Sequence, residues 1–94
     1  MEKELCHVRK GNTQEGEELL LQYFLLGNEK TKKNSKTAVF GVQVSEFLDG
    51  VLCETQYVEG VADCRDKILK ILQKLADGLV TPVSLVNILD DIIE

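Results

Sequence analysis

Ninety-four residues, 44% hydrophobic and 29% charged, with seven glycines and one proline, describe one globular domain able to bury about two-thirds of its unfolded surface. Collagen-like and wholly disordered chains are excluded. Eleven Lys and Arg against sixteen Asp and Glu leave a net charge of −5, which sets the chain as a whole against nucleic acid.

Residues 1–10 mix charges and hold no apolar stretch, so no secretory signal is expected. The longest uninterrupted apolar run, residues 23–26, falls far short of the roughly 18 to 20 residues that cross a bilayer. Cys6, Cys53 and Cys64 are widely spaced and form no CxxC, which favours free thiols in a reducing cytoplasm over a disulfide framework or a zinc site. Residues 5–9 have strand character, and residues 11–16 read as a hairpin loop. In residues 18–26, Leu19, Leu21, Tyr23 and Leu25 share one parity while Leu20, Phe24 and Leu26 share the other. This second strand is therefore apolar on both faces. Gly27 and Asn28 end it, and residues 29–36 are expected to be a polar loop.

Residues 37–47 alternate as a strand, and Asp49 with Gly50 is the pair favoured by a two-residue type I′ turn. Placing Leu48 opposite Val51 puts Phe40, Val42, Val44 and Leu48 beside Val51, Cys53, Thr55 and Tyr57 on the expected core face. On the other face the same register sets Gln43 beside Gln56, Ser45 beside Glu54, Phe47 beside Leu52, and Val58 beside Gly41.

After Gly60 the apolar period becomes helical through Cys64, Ile68, Ile71, Leu72 and Leu75, with Asp63 as expected N-cap and Gly78 as C′ glycine. Asp66 and Lys70 would pair on the outer side. Thr81 and Pro82 suit the N-cap and first position of a second helix running to Ile93. Its residues Leu85, Val86, Ile88, Leu89, Ile92 and Ile93 fill an arc of about 160°. The expected fold is α+β: a four-stranded antiparallel meander followed by two helices on one sheet face, in a single domain spanning residues 1–94.

The apolar positions exceed what two layers can hide. Leu20, Phe24, Phe47 and Leu52 on the sheet, or Ile92 and Ile93 on the last helix, would bind a partner, most simply a second copy and otherwise another protein. The leading expectation is a non-enzymatic association module. An alternative is a nucleic-acid-associated regulator using Lys30, Lys32, Lys33 and Lys36, which with Glu29 carry a local charge of +3. No aromatic residue is interleaved with these lysines, as stacking on single strands would need, so a solvated hairpin tip competes with that reading. A third reading is a small-molecule or catalytic site at Glu54, beside Gln43, Gln56 and Ser45 on the outer face. His7 is the only histidine and Cys6 beside it would point to the opposite face, so no metal or cofactor is expected, and no GxGxxG or P-loop cradles a phosphate.

The run Val39, Phe40, Gly41, Val42 and the close Val80, Thr81, Pro82, Val83, Ser84, Leu85, Ile88, Leu89, Asp90, Asp91 resemble a family of small proteins of unknown function from Gram-positive anaerobic bacteria. Its members share a strand-rich first half and a closing helix introduced by Val, Ser or Thr, then Pro. The resemblance implies a small cytoplasmic bacterial protein and brings no activity, cofactor or catalytic residue with it. The lysine-rich segment and the cysteines have no counterpart in that pattern.

Overall fold

In the computed structural model, which describes residues 2–32 and 35–93, with the side chains of residues 28–38 and 93 excepted, the strands form one antiparallel sheet. Strands β1 (Glu2–Asn12), β2 (Glu18–Lys32), β3 (Ser35–Leu48) and β4 (Val51–Ala62) lie in chain order. Helix α1 (Arg65–Asp77), a 3-10 turn (Pro82–Ser84) and helix α2 (Leu85–Ile93) follow. The expected α+β meander with two closing helices is the observed fold. Asp49 and Gly50 adopt φ of 50° and 82°, as a type I′ turn requires. Asp49 also anchors β2, donating its N–H to the Glu18 carbonyl while its Oδ1 accepts from the Glu18 N–H, both at 2.9 Å.

The core sits between one sheet face and the helices. Leu21, Tyr23 and Leu25 of β2 and Val42 and Val44 of β3 are buried under Ile68, Leu72, Leu75 and Ala76 of α1 and Leu85 and Leu89 of α2. Tyr23 is fully buried, and its hydroxyl donates to the Val80 carbonyl at 2.9 Å, tying the sheet centre to the link between the helices. Burial pushes the Tyr23 phenol up to about 12. Because the folded value exceeds the ordinary value near 10, this contribution to stability is complete below pH 10 and fades as pH rises toward 12. Tyr23→Phe is therefore expected to cost about 1–3 kcal/mol at neutral pH by leaving the Val80 carbonyl unpaired, and to flatten the fall in stability above pH 10. Denaturant unfolding of both chains from pH 7 to pH 11 checks this; equal stability at pH 7 would discount the hydrogen bond, and parallel curves would discount the raised phenol pKa.

Several expectations are corrected. Cys53 is an extra residue in β4: Phe47 faces Leu52, but Glu46 faces Glu54 and Ser45 faces Thr55. Beyond this bulge every side chain changes face. Gln56 and Val58, rather than Thr55 and Tyr57, therefore share a face with Val44 and Val42, and Gln43 lies opposite Tyr57. Val51 and Cys53 are exposed, since the helices do not reach that end of β4. The expected polar loop after Asn28 is instead strand, with backbone pairs from Asn28↔Val39 to Lys32↔Ser35. In a two-stranded ladder the inward backbone groups pair with each other and the outward ones meet water, so the ladder needs no apolar face to continue.

The helix ends also differ. The N-cap of α1 is Cys64, extended, exposed and making no side-chain cap bond, so this thiol is not on the inner helix face. Asp63 instead accepts from Lys67 Nζ at 3.4 Å, the ion pair seen on this face in place of Asp66 with Lys70. Gly78 ends the helix at φ −87°, and the left-handed residue is Leu79, at φ 50°. The Leu79 N–H donates to the Ala76 carbonyl at 3.2 Å and the Val80 N–H to the Leu75 carbonyl at 3.0 Å, the two bonds of a Schellman cap. A leucine in this conformation is strained by about 1 kcal/mol. Leu79→Gly is thus expected to raise the unfolding midpoint, because that side chain is half exposed; a lower midpoint would show that its contacts outweigh the strain. The second helix opens with a 3-10 turn, in which Ser84 N–H donates to the Thr81 carbonyl at 3.2 Å, and becomes α-helical only at Leu85.

Candidate functional site

The sheet face turned away from the helices is uncovered, and the strand register arranges its residues in transverse rows. Lys10, Leu20, Phe47 and Leu52 lie side by side across the four strands. Val8, Gln22, Ser45 and Thr55 form the next row, and Leu5, Phe24, Gln43 and Tyr57 the third. Leu5, Val8, Leu52 and Tyr57 are 43–58% exposed, while Leu20, Phe24 and Phe47 are half-buried among their neighbours.

Three polar side chains at the centre of this face are paired with one another. Thr55 Oγ1 donates to Ser45 Oγ at 3.1 Å and Gln43 Nε2 donates to the same atom at 3.3 Å. Ser45 is only 5% exposed, so its hydroxyl adds little demand for water when the face is covered. At the β1 edge the Lys3 ammonium stands 4.7 Å from the centre of the Phe24 ring and shields one side of it. Lys3, Leu26 and Gly41 continue the face as a fourth row; with strands about 4.8 Å apart and rows about 6.8 Å apart, the four rows measure roughly 19 by 27 Å, on the order of 500 Å².

Four expected partner residues, Leu20, Phe24, Phe47 and Leu52, are thus brought together. Leu5, Val8 and Tyr57 belong to the same face although the sequence reading omitted them. Simple parity separates Leu5 from Val8, and the extra residue Cys6, between the pairs Leu5↔Phe24 and His7↔Tyr23, restores both to one side. Ile92 lies on the helix side, half-buried against the core, and the Ile93 side chain lies outside the described residues. The lysine set is placed only by backbone: Lys30, Lys32 and Lys36 sit in the β2–β3 ladder, and Lys33 lies outside the described residues.

The polar grouping expected around Glu54 does not form. Glu54 lies opposite Glu46 on the helix-side face, apart from Gln43 and Ser45. His7 faces Tyr23 and is half-buried, and Cys6 packs partly against the core, where burial and the nearby Glu4 carboxylate push its thiol pKa up. A thiol so placed is a weak nucleophile. Glu4 itself holds Arg65 of α1 at 2.6 Å, fastening the helix to the sheet edge. Among the described residues no three His, Cys, Asp or Glu side chains gather as a metal site, and no helix is long and apolar enough to cross a membrane.

A model for a family of unknown function, DUF6514, matches residues 2–94. No curated protein and no solved structure matches the chain.

Proposed function

We propose that this chain, which belongs to the DUF6514 family of unknown function, is a non-enzymatic association module whose uncovered sheet face seats a second copy of itself. The observation that carries this reading is the seven apolar side chains gathered in three adjoining rows opposite the helices. Two copies of a face near 500 Å² would bury on the order of 1,000 Å², the lower bound for a specific interface. Stacked face to face, the two sheets would enclose a second apolar layer about 10 Å thick.

Edge pairing is the other route to a dimer, and the strands oppose it. Cys6 bulges β1 and Cys53 bulges β4, interrupting the hydrogen-bonding rows that a neighbouring strand would need. Cys53 and Cys64 are exposed free thiols, which suits a reducing bacterial cytoplasm. Light scattering over a concentration range tests the reading. Twice the chain mass, insensitive to salt, is expected, and a monomer at high micromolar concentration would overturn it.

A second reading has one observation in its favour. The β2–β3 ladder carries Lys30, Lys32 and Lys36 past Gly27↔Glu2 and Phe40↔Ala62, where pairing with the edge strands stops, so a basic ribbon would extend beyond the sheet. Replacing Lys30, Lys32, Lys33 and Lys36 by Gln would then abolish a salt-sensitive affinity for nucleic acid. Unchanged affinity would dismiss it.

A further inference from the structure

On the helix side, remote from the open sheet face, a cleft of about 530 Å³ lies between the end of β4, α1 and the end of α2. Its floor is apolar, formed by Val61, Ala62, Ile71 and Ile92, all only half-buried. Its rim carries Lys67, Lys70 and Lys74. At 100° per residue these lysines occupy an arc of about 60° on α1, immediately beside Ile71. Asp63, the one acid of the lining, is already paired with Lys67, so the cleft holds a net +2 in a chain of net −5.

Three like charges crowded on one helical stripe repel one another, and their alkyl stems extend the apolar wall below them. This combination suits a molecule with an alkyl body and a single anionic head. The volume lies within the range of small-ligand sites, roughly 300–1,000 Å³. We infer that the cleft binds a medium-chain alkyl carboxylate, its chain on Val61, Ala62, Ile71 and Ile92 and its head against Lys70 and Lys74. The inference is independent of the sheet-face dimer, since none of these residues lies on that face.

Titration of the intact protein with decanoate, kept below its micelle concentration and followed by calorimetry and methyl NMR, tests it. Saturable single-site binding is expected, with shifts confined to the cleft methyls of Val39, Val61, Ala62, Ile71 and Ile92. Lys70→Gln combined with Lys74→Gln should weaken binding about five- to tenfold while leaving the unfolding midpoint in place. Equal binding of a decyl trimethylammonium cation would overturn the inference by removing the role of charge. So would shifts on Leu5, Val8 and Leu52, the mark of detergent-like adsorption, or a titration that never saturates.

Discussion

Gly41→Ala is expected to destabilise the fold by about 3 kcal/mol, although alanine ordinarily improves a strand. Gly41 is buried in β3, where Phe40 faces Ala62 and Val42 faces Val58, so residues 59–61 of β4 crowd against one residue of its partner. The crowded segment turns back over Gly41 through Gly60, at φ 68°. A Cβ on residue 41 would collide with the Val58 carbonyl oxygen and come within 2.9 Å of Glu59 Cα. Both obstacles are backbone, which cannot rotate aside as a side chain would, and moving it disturbs the strand that supports Val58 and Ala62. Gly11→Ala is the control: nothing lies within 4 Å of that Cβ, and its expected effect is neutral to slightly stabilising. Denaturant unfolding of the two variants checks the pair. Equal stability of Gly41→Ala and the parent chain would mean that β4 does not cross so close.

Phe24→Glu is expected to dissociate the proposed sheet-face dimer, raising its dissociation constant about thirtyfold or more, as removal of a central aromatic anchor does. Phe24 stands in the middle of the open face, beside Leu5 and Gln43 and two residues from Leu26. In a single copy it is half-buried, so glutamate can reach water there and the fold should survive; in a closed interface the carboxylate would be stranded without water. Ile92→Glu, on the helix side, should leave the mass unchanged. Sedimentation of the three chains, with circular dichroism to verify folding, separates the outcomes. Dissociation by Ile92→Glu with a surviving Phe24→Glu dimer would move the interface to the helices.

The sequence made the layout legible because its signals were strong and local. Asp49 and Gly50 fixed one turn by the φ angles they accept, and Thr81 with Pro82 marked where the last helical segment begins. The period-two run of β3 and the 3.6-residue spacing of Ile68, Leu72 and Leu75 each identified an element and its buried side. The double-sided apolarity of β2 was the strongest sign of an uncovered apolar face. Its Leu20 and Phe24 do lie on the uncovered face, because the helices can cover only the face that carries Leu21, Tyr23 and Leu25.

What the sequence determined by itself was therefore the order of elements, the core side of β3 and α1, and four of the residues on the open face, while β2 read as apolar on both of its faces. The tertiary structure alone decided which residues share that face on the edge strands. The bulges at Cys6 and Cys53 each exchange inside for outside along the rest of a strand, bringing Val8 and Tyr57 to the open face and removing Glu54 from the polar cluster. Neither cysteine announces a bulge, since each could equally occupy a regular strand position. The same holds at Leu79, which takes the left-handed conformation beside a glycine that could have taken it. Its two cap bonds close the helix where Val80 must reach the Tyr23 hydroxyl. Bulges and strained caps follow from how the sheet, the helices and the link between them fit together, a balance of long-range contacts that no short stretch of sequence encodes.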